Sequence, residues 1–340
     1  MRAARFHRHG GPEVLAVETM PDPVVTPGQV LVRVRACALN RLDLWQRRGL
    51  DRIAIPLPHV SGADVAGEVV AAPGDEVPAG TRVLLQPGLS CGRCAACLDG
   101  RDNECRRYDV LGYQSQGGYA ELVAVPAANV VPIPDHVTFE AAAAFPLTFL
   151  TAWHMLLTRA RLRAGDTVLV VAGTSGVGQA AIQIARLHGA RVIATAGSER
   201  KLARAAALGA DAVVDHHQQD VVAEVRRLTD KRGVDVVIEH VGQATWDRSV
   251  RALAPGGRLV ICGNTTGWDA AIDLRFLFSR QLSLLGSYMG TKGELLQAVR
   301  FLADGRLAPL VDAVLPLEAA AEAHRRLEAG DVAGKLLLAP

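Results

Sequence analysis

One segment of the chain, residues 167–196, restricts the possible folds more than any other. It reads TVLVVAGTSGVGQAAIQIARLHGARVIATA: an apolar run, a glycine-rich turn, a helical stretch and a second apolar run. A strand, a tight turn, a helix and a strand in this order predict a βαβ unit, and therefore a parallel sheet. Such a turn brings backbone N–H groups and a helix N-terminus to the position of a pyrophosphate. The segment therefore predicts a dinucleotide-binding domain.

The turn itself is a variant of the dinucleotide-binding pattern G-x-G-x-x-G. Its middle position holds Ser175, with a glycine beside it. Because a strand precedes the turn and a helix follows it, we interpret the serine as a tolerated variant, with a plain tight turn as the alternative. The hydrolase pattern G-x-S-x-G does not fit, because Val177 occupies its last position. The predicted cofactor-binding residues of the turn are Gly173, Thr174, Ser175, Gly176, Val177 and Gly178.

The rest of the second half continues the same alternation of strands and helices. We predict helices at residues 178–188 and 201–208, and strands at 167–172, 191–196, 212–215, 235–239, 258–263 and 281–286. Six such strands predict an α/β fold with a doubly wound sheet of the Rossmann type, which we assign to residues 126–291. The last strand is apolar and can pair across a two-fold axis, so a homodimer is expected.

The first half has a different rhythm, with short strands separated by turn residues. Residues 1–125 are therefore predicted to be mostly β. The tail, residues 292–340, contains two helical patterns and a final strand at 335–338, and we assign it to the same domain.

The end of the second strand of the βαβ unit predicts which nicotinamide cofactor binds. An acidic residue there would bind the ribose 2′-OH, but this chain has Ala196. Ser198, Arg200 and Lys201 follow, and a hydroxyl with two cations suits a 2′-phosphate. The sequence therefore favours NADPH over NADH. The alternative is that Arg200 and Lys201 are solvated residues of the next helix.

Four cysteines lie close together in the first half as C-x2-C-x2-C-x7-C. Four thiolates at such spacing can close a tetrahedron around Zn²⁺ and leave no open coordination position, which predicts one structural zinc ion. Reduced cysteines in a metal-free loop are the alternative. The predicted ligands are Cys91, Cys94, Cys97 and Cys105.

Composition excludes several other classes of protein. Lys plus Arg number 37 and Asp plus Glu 35, without a basic block, so nucleic acid is not expected as a partner. The two longest charge-free stretches, 141–158 and 167–185, contain proline or several glycines, so no membrane span is predicted. The N-terminus has no apolar run typical of a secretory signal, and a cytoplasmic location is expected.

Together, the β-rich first half, the cysteine lobe, GTSGVG and the closing AGKLLL resemble the medium-chain dehydrogenase/reductase superfamily. The resemblance implies a GroES-like first domain. Zinc alcohol dehydrogenases of this superfamily hold a catalytic zinc with Cys, His and Cys, where this chain has Asn40, Ala63 and Leu147. A catalytic zinc is therefore not expected.

Two segments, ACALNRLDLWQRRG and PLPHVSGADVAGEV, instead resemble the quinone oxidoreductase branch, although many members of that branch lack a cysteine lobe. The branch reduces small quinones or activated enones with NADPH and without a catalytic metal. By position, the resemblance implies further cofactor contacts at Arg41, Thr151, His216, Gly242, Gly263, Asn264 and Lys335. The alternatives are a solvated loop histidine at position 216 and a role in turns only for the two glycines.

In a metal-free reaction, hydrogen-bond donors must stabilise the oxygen on which negative charge develops. Asn40 is the best candidate donor, and Asp64 is a further candidate catalytic residue; Asp43 is interpreted as structural. His59, Tyr113 and Tyr288 are other possible proton donors. Two alternative functions stay open: a zinc-type alcohol or aldehyde dehydrogenase, and a non-catalytic NADPH-binding regulatory protein.

Overall fold

Strand pairing divides the chain into two units in the computed structural model, which describes residues 1–50, 53–74 and 77–340. The first unit comprises residues 1–147 and 291–340, and the second comprises residues 148–290. The domain boundary predicted after residue 125 thus lies inside the first unit. The reason is that Val130–Pro132 pairs with Arg82–Leu85, and the helix Phe139–Ala144 packs on the same sheet.

The N-terminal part of the first unit consists of short strands and short helices, because turn residues interrupt the apolar runs at close intervals. Its strands are β1 (Arg2–Phe6), β2 (Ala16–Thr19), β3 (Gln29–Ala38), β4 (His59–Val60), β5 (Asp64–Ala71), β6 (Arg82–Leu85), β7 (Gly88–Leu89), β8 (Asp109–Val110), β9 (Leu122–Pro126) and β10 (Val130–Pro132). Its helices are α1 (Arg41–Arg48), α2 (Ala95–Leu98) and α3 (Phe139–Ala144), and α4 (Pro146–Trp153) spans the boundary between the units.

The second unit contains a six-stranded sheet in which every strand pairing is parallel. Its strands are β11 (Thr167–Val170), β12 (Arg191–Ala196), β13 (Ala212–Asp215), β14 (Val234–Glu239), β15 (Leu253–Ile261) and β16 (Ser283–Gly286). Its helices are α5 (Gly176–Leu187), α6 (Glu199–Ala207), α7 (Val221–Leu228), α8 (Trp246–Ala252) and α9 (Leu274–Ser279). The strand order β13-β12-β11-β14-β15-β16 is that of a doubly wound dinucleotide-binding sheet, which confirms the predicted fold class.

The C-terminal tail completes the first unit with α10 (Lys292–Ala303), β17 (Val311–Pro316), α11 (Ala320–Ala329) and β18 (Lys335–Ala339). Strand β18 inserts between β17 and β3, so the larger sheet runs β10-β6-β5-β3-β18-β17, with β9 also paired to β3. Strands β2, β1 and β4 form a smaller sheet. The buried apolar side chains of β3, β5, β9 and β18 form the core of this unit.

Most predicted elements differ from those of the structure by one to five residues at one end or both, and two of the differences have a clear local cause. Helix α5 begins at Gly176 rather than at residue 178, because the Ser175 side chain caps it. Strand β16 begins at Ser283 rather than at 281, because Gln281 has a positive φ of 53°.

Strand β16 is an edge of its sheet, and the homodimer based on it stays a prediction. Within the described residues, no helix is both long and apolar enough to span a membrane.

Candidate functional site

The predicted glycine turn joins β11 to α5 in the second unit. The Ser175 Oγ accepts a hydrogen bond from the Gly178 N–H at 2.9 Å and lies 3.1 Å from Nε2 of His240. A Cβ atom at Gly178 would lie 2.3 Å from the carbonyl oxygen of Ala172, so only glycine lets the helix begin this close to the strand. The helix N-terminus therefore stands over the end of β11, as pyrophosphate binding requires.

The ribose end of the predicted cofactor site lies at the end of β12. Ser198 caps α6 by accepting a hydrogen bond from the Lys201 N–H. A Cβ atom at Gly197 would lie 2.8 Å from Nε2 of His216 and 2.6 Å from Nε2 of His217. Both imidazoles therefore cover the backbone just after β12. Partial burial lowers the pKa of His216, and so does the charge of His217 beside it.

Two further loops at the same edge of the sheet contain other predicted cofactor residues. Gly242 has a φ of 91°, and a Cβ atom there would lie 2.9 Å from the Cα of Asn264. A Cβ atom at Gly263 would lie 3.1 Å from the carbonyl oxygen of His240. The structure therefore brings together the loops that follow β14 and β15. Thr151 is buried in α4, and Arg200 lies in the first turn of α6.

A buried carboxylate that the sequence analysis missed organises the loop after β14. Oε1 of Glu239 accepts hydrogen bonds from three consecutive backbone N–H groups, at 2.9, 2.7 and 3.1 Å. Its Oε2 accepts from Thr245 Oγ1 at 2.8 Å and from Ser249 Oγ at 2.6 Å. The signal in the sequence is the polar pair Glu239–His240 at the end of an apolar strand, at the edge where parallel sheets bind ligands.

The four predicted zinc ligands converge in the first unit. Their sulfur atoms all lie within 4.8 Å of one another, with Cys91–Cys97 at 3.9 Å and Cys94–Cys97 at 3.5 Å. A zinc tetrahedron with Zn–S distances of about 2.3 Å has S–S edges of about 3.8 Å, so the cluster fits this ion. Backbone N–H groups of Arg93 and Cys94 lower the pKa of Cys91 to about 5, which favours the thiolate that binds a metal.

The candidate catalytic residues of the first unit meet in a buried cluster of Asn40, Asp64 and Lys335. The Lys335 ammonium donates to Asn40 Oδ1 at 2.6 Å and to Asp64 Oδ2 at 3.0 Å. Asn40 Nδ2 donates to Asp64 Oδ2 at 2.9 Å, and the Leu147 N–H donates to Asp64 Oδ1 at 2.7 Å. We name these three side chains the Asn–Asp–Lys cluster. The carboxylate of Asp64 thus accepts three donors, and the predicted contact of Lys335 with the cofactor stays a prediction.

Strand register explains why these distant residues meet. In the larger sheet, Ala38 of β3 pairs with Asp64 of β5 and with Leu337 of β18. Asn40 lies two residues after the end of β3, and Lys335 is the first residue of β18. The cluster therefore forms where the ends of three adjacent strands coincide.

A second buried carboxylate lies next to the cluster. Oδ2 of Asp43 accepts hydrogen bonds from the Asn40 N–H and from the Tyr119 hydroxyl, both at 2.7 Å. Burial raises the pKa of Asp43 from its ordinary 3.8 to about 6, although both hydrogen bonds oppose this shift. These contacts cap α1 and fix the backbone of Asn40, in agreement with the structural interpretation of Asp43. Tyr119 had no distinguishing signal in the sequence.

The three positions that the resemblance matches to the catalytic zinc ligands of alcohol dehydrogenases lie in or next to this cluster. Asn40 belongs to it, Ala63 precedes Asp64, and Leu147 contributes only its backbone N–H. Within residues 1–50, 53–74 and 77–340, the cysteine cluster is the only group of three or more Cys, His, Asp or Glu side chains placed to hold a metal ion.

The remaining candidates lie outside the cluster. Arg41 is the first residue of α1 and is partly buried. His59 is buried, its Nε2 lies 3.0 Å from the carbonyl oxygen of Gly112, and burial lowers its pKa. Tyr288 is 56% exposed in the second unit. None of these placements by itself identifies a proton donor.

Comparison with known proteins places this architecture among dehydrogenases. Residues 26–135 match the family model of the alcohol dehydrogenase GroES-like domain, and residues 176–304 match that of the zinc-binding dehydrogenases. The chain is 30% identical to a quinone oxidoreductase of Homo sapiens, over 99% of this chain and 97% of that protein. It is 33% identical to an NAD-dependent alcohol dehydrogenase of Sulfolobus acidocaldarius, over 99% of both chains. A solved structure described as an NAD-dependent alcohol dehydrogenase is 51% identical, covers both chains completely and has a TM-score of 0.97.

Proposed function

The chain belongs to the medium-chain dehydrogenase/reductase superfamily and is an NAD(P)H-dependent oxidoreductase, and on this premise we propose that it reduces quinones or activated enones with NADPH, without a catalytic zinc. One observation carries the proposal: an amide and an ammonium group occupy the region of the catalytic zinc ligands. An ammonium has no lone pair and cannot bind a metal. The Lys335 ammonium also pairs with Asp64, so the carboxylate of the cluster is already engaged.

The Asn–Asp–Lys cluster supplies the chemistry that a metal-free reduction needs. When bound, the reduced nicotinamide supplies a hydride to an electron-poor carbon of the acceptor. Asn40 Nδ2 donates one hydrogen to Asp64, and its second hydrogen has no acceptor within the described residues. That hydrogen can bond the acceptor oxygen while negative charge develops there. A proton from solvent then completes the reduction.

The preference for NADPH rests on the residues after β12. Ser198 and Lys201 lie at the N-terminus of α6, with His216 and His217 beside them. A hydroxyl, a helix N-terminus and nearby cations favour a 2′-phosphate. Lys201→Glu should raise the Michaelis constant for NADPH by roughly 10–100-fold, the worth of one charged hydrogen bond, and that for NADH much less. Equal effects on both constants would contradict the 2′-phosphate assignment.

The cysteine cluster is assigned one zinc ion with a structural role. Four thiolates leave no open coordination position for a substrate. The 18 residues from Leu89 to Arg106 around them contain few buried apolar side chains, so the metal would hold this lobe together.

Alcohol oxidation with NAD⁺ is the second candidate function, favoured by the solved structure of an NAD-dependent alcohol dehydrogenase at 51% identity. It would use the same hydride transfer in the opposite direction. If that reaction used a catalytic zinc, each chain would hold two metal ions, one catalytic and one structural. Our proposal requires only the structural ion.

Both candidates are tested in one experiment on protein of measured zinc content. Consumption of NADPH is followed with para-benzoquinone and with a simple enone, beside NADH, and alcohol oxidation is measured with NAD⁺ and NADP⁺. We expect reduction of the quinone or the enone, a preference for NADPH, and one zinc per chain. Alcohol oxidation with two zinc ions per chain, and no reduction of either acceptor, would overturn the proposal.

A further inference from the structure

The Asn–Asp–Lys cluster contains a cation, Lys335, to which our proposed function assigns no part in the reduction itself. We propose that Lys335 is a positioning residue, which fixes the Asn40 amide so that its second N–H faces the oxygen of the substrate. This inference rests on the proposed function and adds to it. Lys335 and Asp64 are 3% and 0% exposed, so their interaction is shielded from solvent.

Hydrogen-bond chemistry allows only one orientation of the Asn40 side chain. An ammonium only donates, so the Asn40 atom at 2.6 Å from the Lys335 Nζ must be the amide oxygen. An ionised carboxylate only accepts, so the atom at 2.9 Å from Asp64 Oδ2 must be the amide nitrogen. Because these two contacts determine the positions of the amide oxygen and the amide nitrogen, the second N–H of Asn40 Nδ2 points in one direction only.

The backbone of Asn40 is held independently of its side chain. Its N–H donates to Asp43 Oδ2 at 2.7 Å, and that same oxygen accepts from Tyr119 at 2.7 Å. Loss of Lys335 would therefore leave the backbone of Asn40 in place. It would remove the ammonium donor from the amide oxygen and so loosen the orientation of the side chain.

The presence of lysine rather than arginine at position 335 also favours a role beyond neutralising the charge of Asp64. Only four of the 37 basic residues of the chain are lysines, at positions 201, 231, 292 and 335, and one of them is this buried cation. An ammonium is a compact point charge that can approach an amide oxygen and a carboxylate at once, whereas guanidinium is a planar fork.

The test separates a positioning role from a structural role and from cofactor binding. Lys335→Met leaves Asp64 buried and unpaired, which destabilises the fold. The double variant Lys335→Met/Asp64→Asn removes both charges and should recover most of the melting temperature. We expect its kcat for the quinone or enone to stay about 10-fold or more below wild type, since removing one donor to a developing oxyanion costs about 10²–10³. Its dissociation constant for NADPH, from fluorescence titration, should stay within about twofold of wild type, because Lys335 bonds Asn40 and Asp64.

Asn40→Ala provides the matched background. If Lys335 acts through Asn40, adding the double variant to Asn40→Ala should lower kcat by less than about threefold further. A double variant with wild-type kcat would reduce Lys335 to a structural role. A raised NADPH dissociation constant with unchanged kcat would make it a cofactor ligand. If the fold-losses in kcat of the double variant and of Asn40→Ala multiply when the variants are combined, Lys335 acts independently of Asn40.

A readout without turnover keeps this inference separate from the proposed function. The side-chain amide signal of Asn40, assigned in ¹⁵N spectra by its loss in Asn40→Ala, should be sharp and slow to exchange in the wild type. In the double variant it should broaden or move toward the position of a solvated amide. The same mobile signal in both proteins would overturn the inference, whereas a failure to reduce quinones or enones would overturn only the proposed function.

Discussion

Replacing Asp43 by asparagine should change how stability depends on pH. The Asp43 carboxyl is fully buried, and its Oδ1 has no hydrogen-bond partner within the described residues. Burial is the main reason why its pKa rises from 3.8 to about 6. Each pKa unit corresponds to about 1.4 kcal/mol, so ionised Asp43 costs the fold about 3 kcal/mol.

The sign of the effect follows from proton binding. Between about pH 4 and pH 6 the folded protein keeps the Asp43 proton, whereas the unfolded chain has lost it. The stability that this group contributes is therefore present below about pH 4 and is lost as the pH rises through about 6. Asparagine cannot ionise, and its Oδ1 can accept the same two hydrogen bonds from Asn40 and Tyr119.

We therefore expect the free energy of unfolding of Asp43→Asn, relative to wild type, to increase by about 3 kcal/mol between about pH 4 and pH 7.5. For a unit of this size, that difference is about 6–12 °C in melting temperature. Urea unfolding followed by circular dichroism across this pH range measures it. Asp135→Asn, at a fully exposed carboxyl, is the control and should run parallel to wild type. Parallel curves for Asp43→Asn as well would refute the reasoning.

Two further predictions concern the cofactor turn and the cysteine cluster. Gly178→Ala should destabilise the second unit by about 1–3 kcal/mol and weaken NADPH binding, because its Cβ would overlap the backbone of Ala172; calorimetry and fluorescence titration measure both effects. Gly286→Ala, where a Cβ meets nothing within 4 Å, should change neither, and equal effects would contradict this account of the turn. Cys97→Ser should lower the zinc content from one ion per chain to nearly none and lower the melting temperature; retained zinc would show that the ion lies elsewhere.

The predictions from sequence held where the information is local. The order strand, turn, helix, strand identified the nucleotide-binding sheet, because backbone pairing and the glycine turn depend on neighbouring residues. The cysteine spacing likewise placed four sulfur atoms within reach of one ion, since all four belong to one short loop. The domain boundary could not be predicted in this way. The sequence placed it after residue 125, but β10 pairs with a strand about 45 residues earlier and so belongs to the first unit.

The side-chain interactions of the candidate site were not accessible in this way. Glu239 reads as an ordinary end of a strand until its five hydrogen-bond donors are seen in three dimensions. Asp43 and Tyr119 are 76 positions apart, and nothing in either local segment indicates that they pair.

The sequence by itself therefore determined the fold class, the glycine turn, the clustering of four cysteines and the residue types at the positions of the usual catalytic zinc ligands. Only the tertiary structure decided what stands in that place. Lys335 is 295 positions from Asn40 and 271 from Asp64, and they meet because β18 pairs with β3 and β3 with β5. Local patterns record the propensities of neighbouring residues, whereas a buried ion pair depends on which strands become adjacent and in which register.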